Sequence, residues 1–149
     1  MKIKSRLTIY GLIGGFFLLL DQVLKYLARD NQDFVYYLGT RFLGWEYYPN
    51  TGIAFSLPFP NWLLVVVTPI LITLLVFWVL QKKKILLTTY IGLFLIIAGA
   101  LSNFIDRLFF AVTVDYLRVF TGVINLADIL IVVGVGLLIL GECKFKIGD

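Results

Sequence analysis

Charged residues along this chain gather into short clusters, and the stretches between them are almost wholly apolar. Leu7 to Leu20 is apolar and continues through Asp21 and Lys25 to about Ala28. Trp62 to Leu80 carries no charge, nor does Ile85 to Ile105, and Val123 to Leu140 holds a single acid, Asp128. Each stretch reaches or nearly reaches the roughly 20 residues an α-helix needs to cross about 30 Å of hydrocarbon. The pattern predicts an all-α membrane fold of four transmembrane helices, at about 7–28, 62–80, 85–105 and 123–140. In 149 residues that is one domain, 1–149, with little chain left for a soluble one.

Between the spans the pattern changes. Residues 33–56 are rich in aromatic and β-branched side chains, punctuated by Gly39, Gly44, Pro49 and Gly52, and predict short strands and turns in a small extracytoplasmic sheet. Tyr36, Tyr37, Trp45, Tyr47 and Tyr48 suit the headgroup zone, where an amphipathic ring keeps its polar edge wet. Pro58 and Pro60 interrupt the chain before the second span. A second outer segment, Asp106 to Asn125, is polar at both ends and apolar between, as in Val112-Thr113-Val114-Asp115-Tyr116-Leu117. No internal repeat is visible.

Composition agrees with lipid as the solvent: 60% of the residues are apolar, against about 45–50% in a typical soluble domain. The net charge of +4 reads as topology rather than as nucleic-acid binding. Lys2, Lys4 and Arg6 precede the first span, Lys82 to Lys84 separate the second from the third, and Lys144 and Lys146 follow the fourth. Four spans place all three clusters on one side, which the positive-inside rule makes cytoplasmic, together with both termini. Asp21, Asp30, Asp33, Glu46, Asp106, Asp115 and Asp128 fall on or near the other side. The basic start resembles a secretory signal, but Leu18-Leu19-Leu20-Asp21-Gln22 offers no small-residue cleavage pattern, so the segment reads as a retained anchor. Cys143 is the sole cysteine and excludes an internal disulfide.

The chain contains no histidine. That removes Ser-His and Cys-His nucleophile pairs and the usual zinc sites, and leaves carboxylates, lysines, hydroxyls and amides. Asp21 and Lys25, four apart on one helix, share a face and can pair; the alternative is that Lys25 snorkels to the interface beside Tyr26. Asn50-Thr51-Gly52 is adequately explained as a turn. Asn103 and Asp106 face the same way near the end of the third helix, where Arg107 has Asp106 as a ready partner. Upstream, Ala98, Gly99, Ala100 and Ser102 let another helix approach closely. Asn125-x-x-Asp128 reads as a helix cap, although an acid within the outer leaflet asks for more than capping. Asp115 is an acid within an apolar stretch. Two carboxyl groups brought close share one proton, so that one can deprotonate water while the other donates to a carbonyl. Composition alone does not say which two acids pair.

Five segments, in order, resemble one family, the lipoprotein signal peptidases (signal peptidase II). They are Asp21-Gln22-x-x-Lys25, then Asn50-Thr51-Gly52-Ile53-Ala54-Phe55-Ser56, then Gly99-Ala100-Leu101-Ser102-Asn103-Phe104-Ile105-Asp106-Arg107, then Val114-Asp115-Tyr116, and finally Asn125-Leu126-Ala127-Asp128. The resemblance implies an aspartic endopeptidase of the bacterial cytoplasmic (inner) membrane, with its active site facing outward. It implies that Asp115 and Asp128 are the catalytic dyad. Asn50, Gly52, Asn103, Arg107 and Asn125 would support it, Asp106 would act with Arg107, and Asp21 and Lys25 would be a structural or substrate-positioning pair. The implied substrate is a prolipoprotein, cut just before its diacylglyceryl-modified cysteine by a lipid-embedded enzyme, expected as a monomer, without metal or organic cofactor. Ser102 stands where the family usually has glycine, Ile124 where an aromatic is common, and the Asp115–Asp128 spacing is tight. Leu57-Pro58-Phe59-Pro60 leaves no room for the short surface helix common in the family. The rival reading is an ion- or proton-coupled membrane protein, or a membrane scaffold, using the same acids.

Overall fold

In the computed structural model, residues 3–39, 41–53, 57–82 and 85–147 are described. Ala54-Phe55-Ser56 of the outer motif and Lys2, Lys83 and Lys84 of the basic clusters lie outside them, as do the side chains of Lys4, Arg6, Lys144 and Lys146. Four helices, α1 (Ile3–Asp30), α2 (Asn61–Leu80), α3 (Leu87–Phe110) and α4 (Leu126–Ile147), are joined by four strands: β1 (Tyr36–Tyr37), β2 (Leu43–Asn50), β3 (Thr113–Val119) and β4 (Gly122–Ile124). All four helices are long and apolar enough to cross a membrane. The fold is a four-span membrane fold carrying one small antiparallel sheet.

Apolar side chains face outward on every span: Leu12, Phe16, Leu19, Trp62, Leu71, Phe77 and Val132 are all exposed. In water this would be untenable, whereas in hydrocarbon these side chains have nothing to hide from. The interior holds what lipid would reject. Asp21, Lys25, Ser102, Asp106, Asp115 and Asn125 are among its most deeply buried residues.

α3 is the hub, packing on α1, α2 and α4. Its seam with α4 depends on small residues. A Cβ on Gly99 would meet the Ala127 carbonyl oxygen at 2.4 Å, and one on Gly92 would meet that of Gly134 at 2.6 Å. Glycine lets the two backbones touch, which brings the start of α4 against the last turns of α3.

Of the helix boundaries that differ from the hydropathy reading, two bear on the site. α3 continues to Phe110, because no Gly or Pro follows Ile105, and it stops where Ala111 turns left-handed (φ 60) with its N–H on the Arg107 carbonyl. Asn103, Asp106 and Arg107 therefore lie in regular helix. α4 starts at Leu126, because Val123 and Ile124 belong to β4; a short apolar run cannot be assigned to strand or helix by periodicity alone. Before α2, residues 57–60 form no helix.

The sheet runs β1-β2-β3-β4, antiparallel throughout. β2 and β3 come from opposite sides of the second and third spans, and their register places Tyr48 opposite Asp115 and Asn50 opposite Thr113. Val114 and Tyr116 point to the other face, where they pack with Ala28 of α1, and Trp45 lies against Tyr116 at 4.9 Å between ring centroids. On the sheet's surface Glu46 pairs with Arg118, whose guanidinium holds the Glu46 carboxyl below its usual range.

Candidate active site

The start of α4 sets the geometry. Asn125 is the cap: its Oδ1 accepts the Asp128 N–H at 2.9 Å, and Asp128 Oδ2 accepts the Asn125 N–H at 3.3 Å. This reciprocal pair serves two N–H groups that the first turn would leave unsatisfied. The capping reading of Asn125-x-x-Asp128 is thus correct as far as it goes. The same asparagine also donates Nδ2 to Asp115 Oδ1 at 2.6 Å. One side chain therefore ties Asp115 on β3 to Asp128 on α4.

Two further asparagines complete the set. Asn50, at the end of β2, donates Nδ2 to Asp115 Oδ2 at 2.9 Å while its Oδ1 accepts the Gly52 N–H at 2.9 Å. The Asn50-Thr51-Gly52 turn is real, and it aims an amide at the acid. Asn103 of α3 donates Nδ2 to Asp128 Oδ1 at 2.9 Å while its Oδ1 accepts Lys25 Nζ at 2.7 Å. A common rule fixes all three amides. Each carbonyl faces an obligate donor (a backbone N–H or an ammonium), so each NH2 is left facing a carboxylate.

Beneath this layer lies a second polar cluster. Lys25, fully buried, pairs with Asp21 at 3.0 Å and Asp106 at 3.2 Å. The pairing of Asp21 with Lys25 is thus seen and the snorkelling alternative is not: Lys25 points inward because two acids wait there. Asp21 Oδ2 also accepts Ser102 Oγ at 2.6 Å, and its Oδ1 accepts the Tyr116 hydroxyl at 2.9 Å and the Ala127 N–H at 3.3 Å. Asp106 accepts the Val114 N–H at 2.9 Å and Gln22 Nε2 at 3.2 Å. The expected partnership of Asp106 with Arg107 is also corrected. Successive helical residues point about 100° apart, so Asp106 turns to Lys25 while Arg107 reaches the Gly52 carbonyl at 3.5 Å. Gln22, Ser102 and Tyr116 were not read as site residues. The signal for two of them was spacing: Ser102 lies four before Asp106, and Gln22 three before Lys25, on shared helical faces.

Asp115 is 1% exposed. Burial, and then the charge of Asp128, push its carboxyl up to about 7, against the pull of Asn50, Asn125 and Lys25. Burial also raises the Tyr116 phenol, helped by Asp21. Beside this layer a cavity of about 250 Å³ opens between α2, α3 and α4, walled by Leu71, Ile72, Leu75, Ile96 and Ile131, with Asn103 and Arg107 among its polar lining residues. Among the described residues, no group of three or more acids or cysteines could hold a metal ion.

Fold and site together define a multi-pass membrane protein that gathers buried acids at one end of its helices. Comparison with known proteins gives the family. The family model described as Signal peptidase (SPase) II matches residues 13–144. The lipoprotein signal peptidase of Bartonella quintana (strain Toulouse) is 36% identical over 144 residues, covering 87% of this chain and 83% of that protein. That of Halothermothrix orenii is 37% identical over 146 residues, covering 89% and 94%. A bacterial membrane enzyme structure solved by the in meso method at 2.3 Å superposes with a TM-score of 0.83 at 25% identity, over 98% of this chain and 92% of that one. The chain belongs to the signal peptidase II family and is a membrane peptidase.

Proposed function

We propose that the chain is an aspartic endopeptidase that removes signal peptides from prolipoproteins, cutting immediately before the diacylglyceryl-modified cysteine, with Asp115 and Asp128 as its dyad. The observation that carries this reading is the shared asparagine: Asn125 donates its side-chain amide to the Asp115 carboxyl and its backbone N–H to that of Asp128, and Asn50 and Asn103 each steady one of them. The relatives named lipoprotein signal peptidase support the substrate class.

The two acids divide the work. Asp115, held near 7 by burial and by its charged neighbour, carries the proton. Asp128 sits in the first turn of α4, where the positive end of the helix dipole suits a negative charge. Asp128 takes a proton from a water whose oxygen attacks the scissile carbonyl carbon, while Asp115 gives its proton to the carbonyl oxygen. As the C–N bond breaks, Asp128 returns its proton to the leaving nitrogen and Asp115 recovers one from the hydroxyl. Atoms and protons balance, and neither acid is consumed. The apolar cavity beside Asn103 and Arg107 suits the apolar end of a signal peptide. A substrate held by its own lipid and helix meets the dyad already oriented.

In this reading the site faces outward, both termini are cytoplasmic, and one chain suffices, because every dyad partner comes from it. The test is cleavage of a diacylglyceryl-cysteine prolipoprotein by purified protein, with the cut mapped by mass. Cleavage before the lipidated cysteine, lost in folded Asp115→Asn and Asp128→Asn, is expected. A well-folded wild type that cuts no lipidated substrate contradicts the proposal and favours transport or scaffolding.

A further inference from the structure

Thr113 is 2% exposed, and its Oγ1 has no hydrogen-bond partner among the described residues. A buried hydroxyl without a partner costs free energy, and native structures rarely keep one without a use. Two other buried side-chain atoms share this state. Thr88 Oγ1 lies at the opposite end of α3, beside Gly141, and Arg118 Nε belongs to the guanidinium already paired with Glu46. Thr113 differs from both in where it stands.

Side chains alternate along a strand, so Thr113 and Asp115 share a face of β3 while Val114 and Tyr116 take the other. The pairing of β2 with β3 places Asn50 directly opposite Thr113, and paired residues have their side chains adjacent on that face. The Asn50 amide confirms which face this is, since it bonds Asp115. Asn50 has no donor to spare for its neighbour. Its Nδ2 is engaged by Asp115 and the Ile53 carbonyl, and its Oδ1 by the Gly52 N–H. The amide donors of Asn103 and Asn125 are likewise directed at the dyad or its strand. The Thr113 hydroxyl is thus a donor on the Asp115 face of β3, with no partner among the described residues.

We propose that Thr113 is a substrate-contacting residue whose hydroxyl donates a hydrogen bond to a backbone carbonyl of the substrate segment lying across Asp115. The assignment rests on the peptidase reading above. It explains why the strand carries threonine at a position where valine, of the same shape, would remove an unsatisfied group.

The test compares wild type, Thr113→Val and Thr113→Ser as full-length protein, measuring kcat and KM for a diacylglyceryl-cysteine prolipoprotein and the thermal midpoint of each. Thr113→Val should melt at or above the wild-type temperature, because an unpaired hydroxyl leaves the interior. Its kcat/KM should fall about 3–10-fold, the weight of one hydrogen bond, and Thr113→Ser should keep most of the activity. Wild-type kcat/KM in a folded Thr113→Val shows that no substrate contact exists and overturns the inference alone. A variant that loses stability and activity together shows an internal partner and overturns it as well. A wild type that does not cleave at all fails the peptidase reading, and the inference falls with it.

Discussion

Two pairs of aspartates lie in neighbouring layers of this protein, and they are treated differently. Asp21 and Asp106 share a buried ammonium, Lys25, at 3.0 and 3.2 Å. Asp115 and Asp128 are bonded by the amides of Asn50, Asn103 and Asn125 and by a backbone N–H. A cation bonds the first pair into one arrangement, as a structural pin between α1 and α3. Neutral donors orient the second pair without neutralising it, so a proton remains the cheapest way to relieve its charge. Under the proposed function, the same residue type is structural or reactive according to what donates to it. Lys25 serves both layers, because the bond it gives Asn103 turns that amide toward Asp128.

The comparison is broken most severely at Lys25. Lys25→Met leaves two buried acids without their cation, and removing one partner of a buried pair costs about 3–5 kcal/mol. The expected outcome is loss of folded protein, read by thermal melting in detergent. Adding Asp106→Asn should recover part of that loss, and no recovery would deny the pairing.

Titration of Asp115 comes next. Its folded-state carboxyl lies above its ordinary value of 3.8, at about 7. The contribution of this group to stability is therefore fully present below about 4 and is lost as pH rises through about 7. Asp115→Asn cannot titrate, so its melting temperature should gain on the wild type between these limits and run parallel above them. The same proton gives wild-type kcat/KM an alkaline limb near pH 7, within the bell-shaped profile of a coupled pair. A profile flat across that region, with chemistry rate-limiting, would deny the shared proton.

The smallest effect is expected at Ser102. Ser102→Ala removes the donor to Asp21 and should cost about 1–2 kcal/mol, with the rate per folded molecule preserved. A rate that collapses while the melting temperature holds would move Ser102 from the structural layer to the reactive one.

What the sequence made legible follows from the same physics. Spans are visible because lipid selects residues one by one, so Trp62 to Leu80 announces itself without knowledge of its neighbours. Boundaries were less visible: Val123 and Ile124 are as apolar as a helix, and pairing with β3 decided otherwise. Strands were expected in 33–56, where β1 and β2 lie, whereas β3 passed as an apolar stretch of the second outer segment and most of β4 as the start of the fourth span. Asp21 and Lys25 could be paired from their spacing, but Asp106 reaches them only through the packing of α1 on α3. Asp115 and Asp128 stood out as intramembrane or apolar-flanked acids, and their pairing came from family resemblance rather than from pattern. Ser102 was read as a departure from the family's glycine and proved to be a buried donor.

The decisive measurement sets four amide variants side by side in single-turnover cleavage of a lipidated prolipoprotein, each normalised to folded protein. Asp115→Asn and Asp128→Asn should lose at least about 10²–10⁴-fold, while Asp21→Asn and Asp106→Asn should yield less folded protein yet stay within about tenfold of wild type per molecule. If the Lys25-paired acids prove as indispensable per folded molecule as Asp115 and Asp128, the division between a structural layer and a reactive one is wrong.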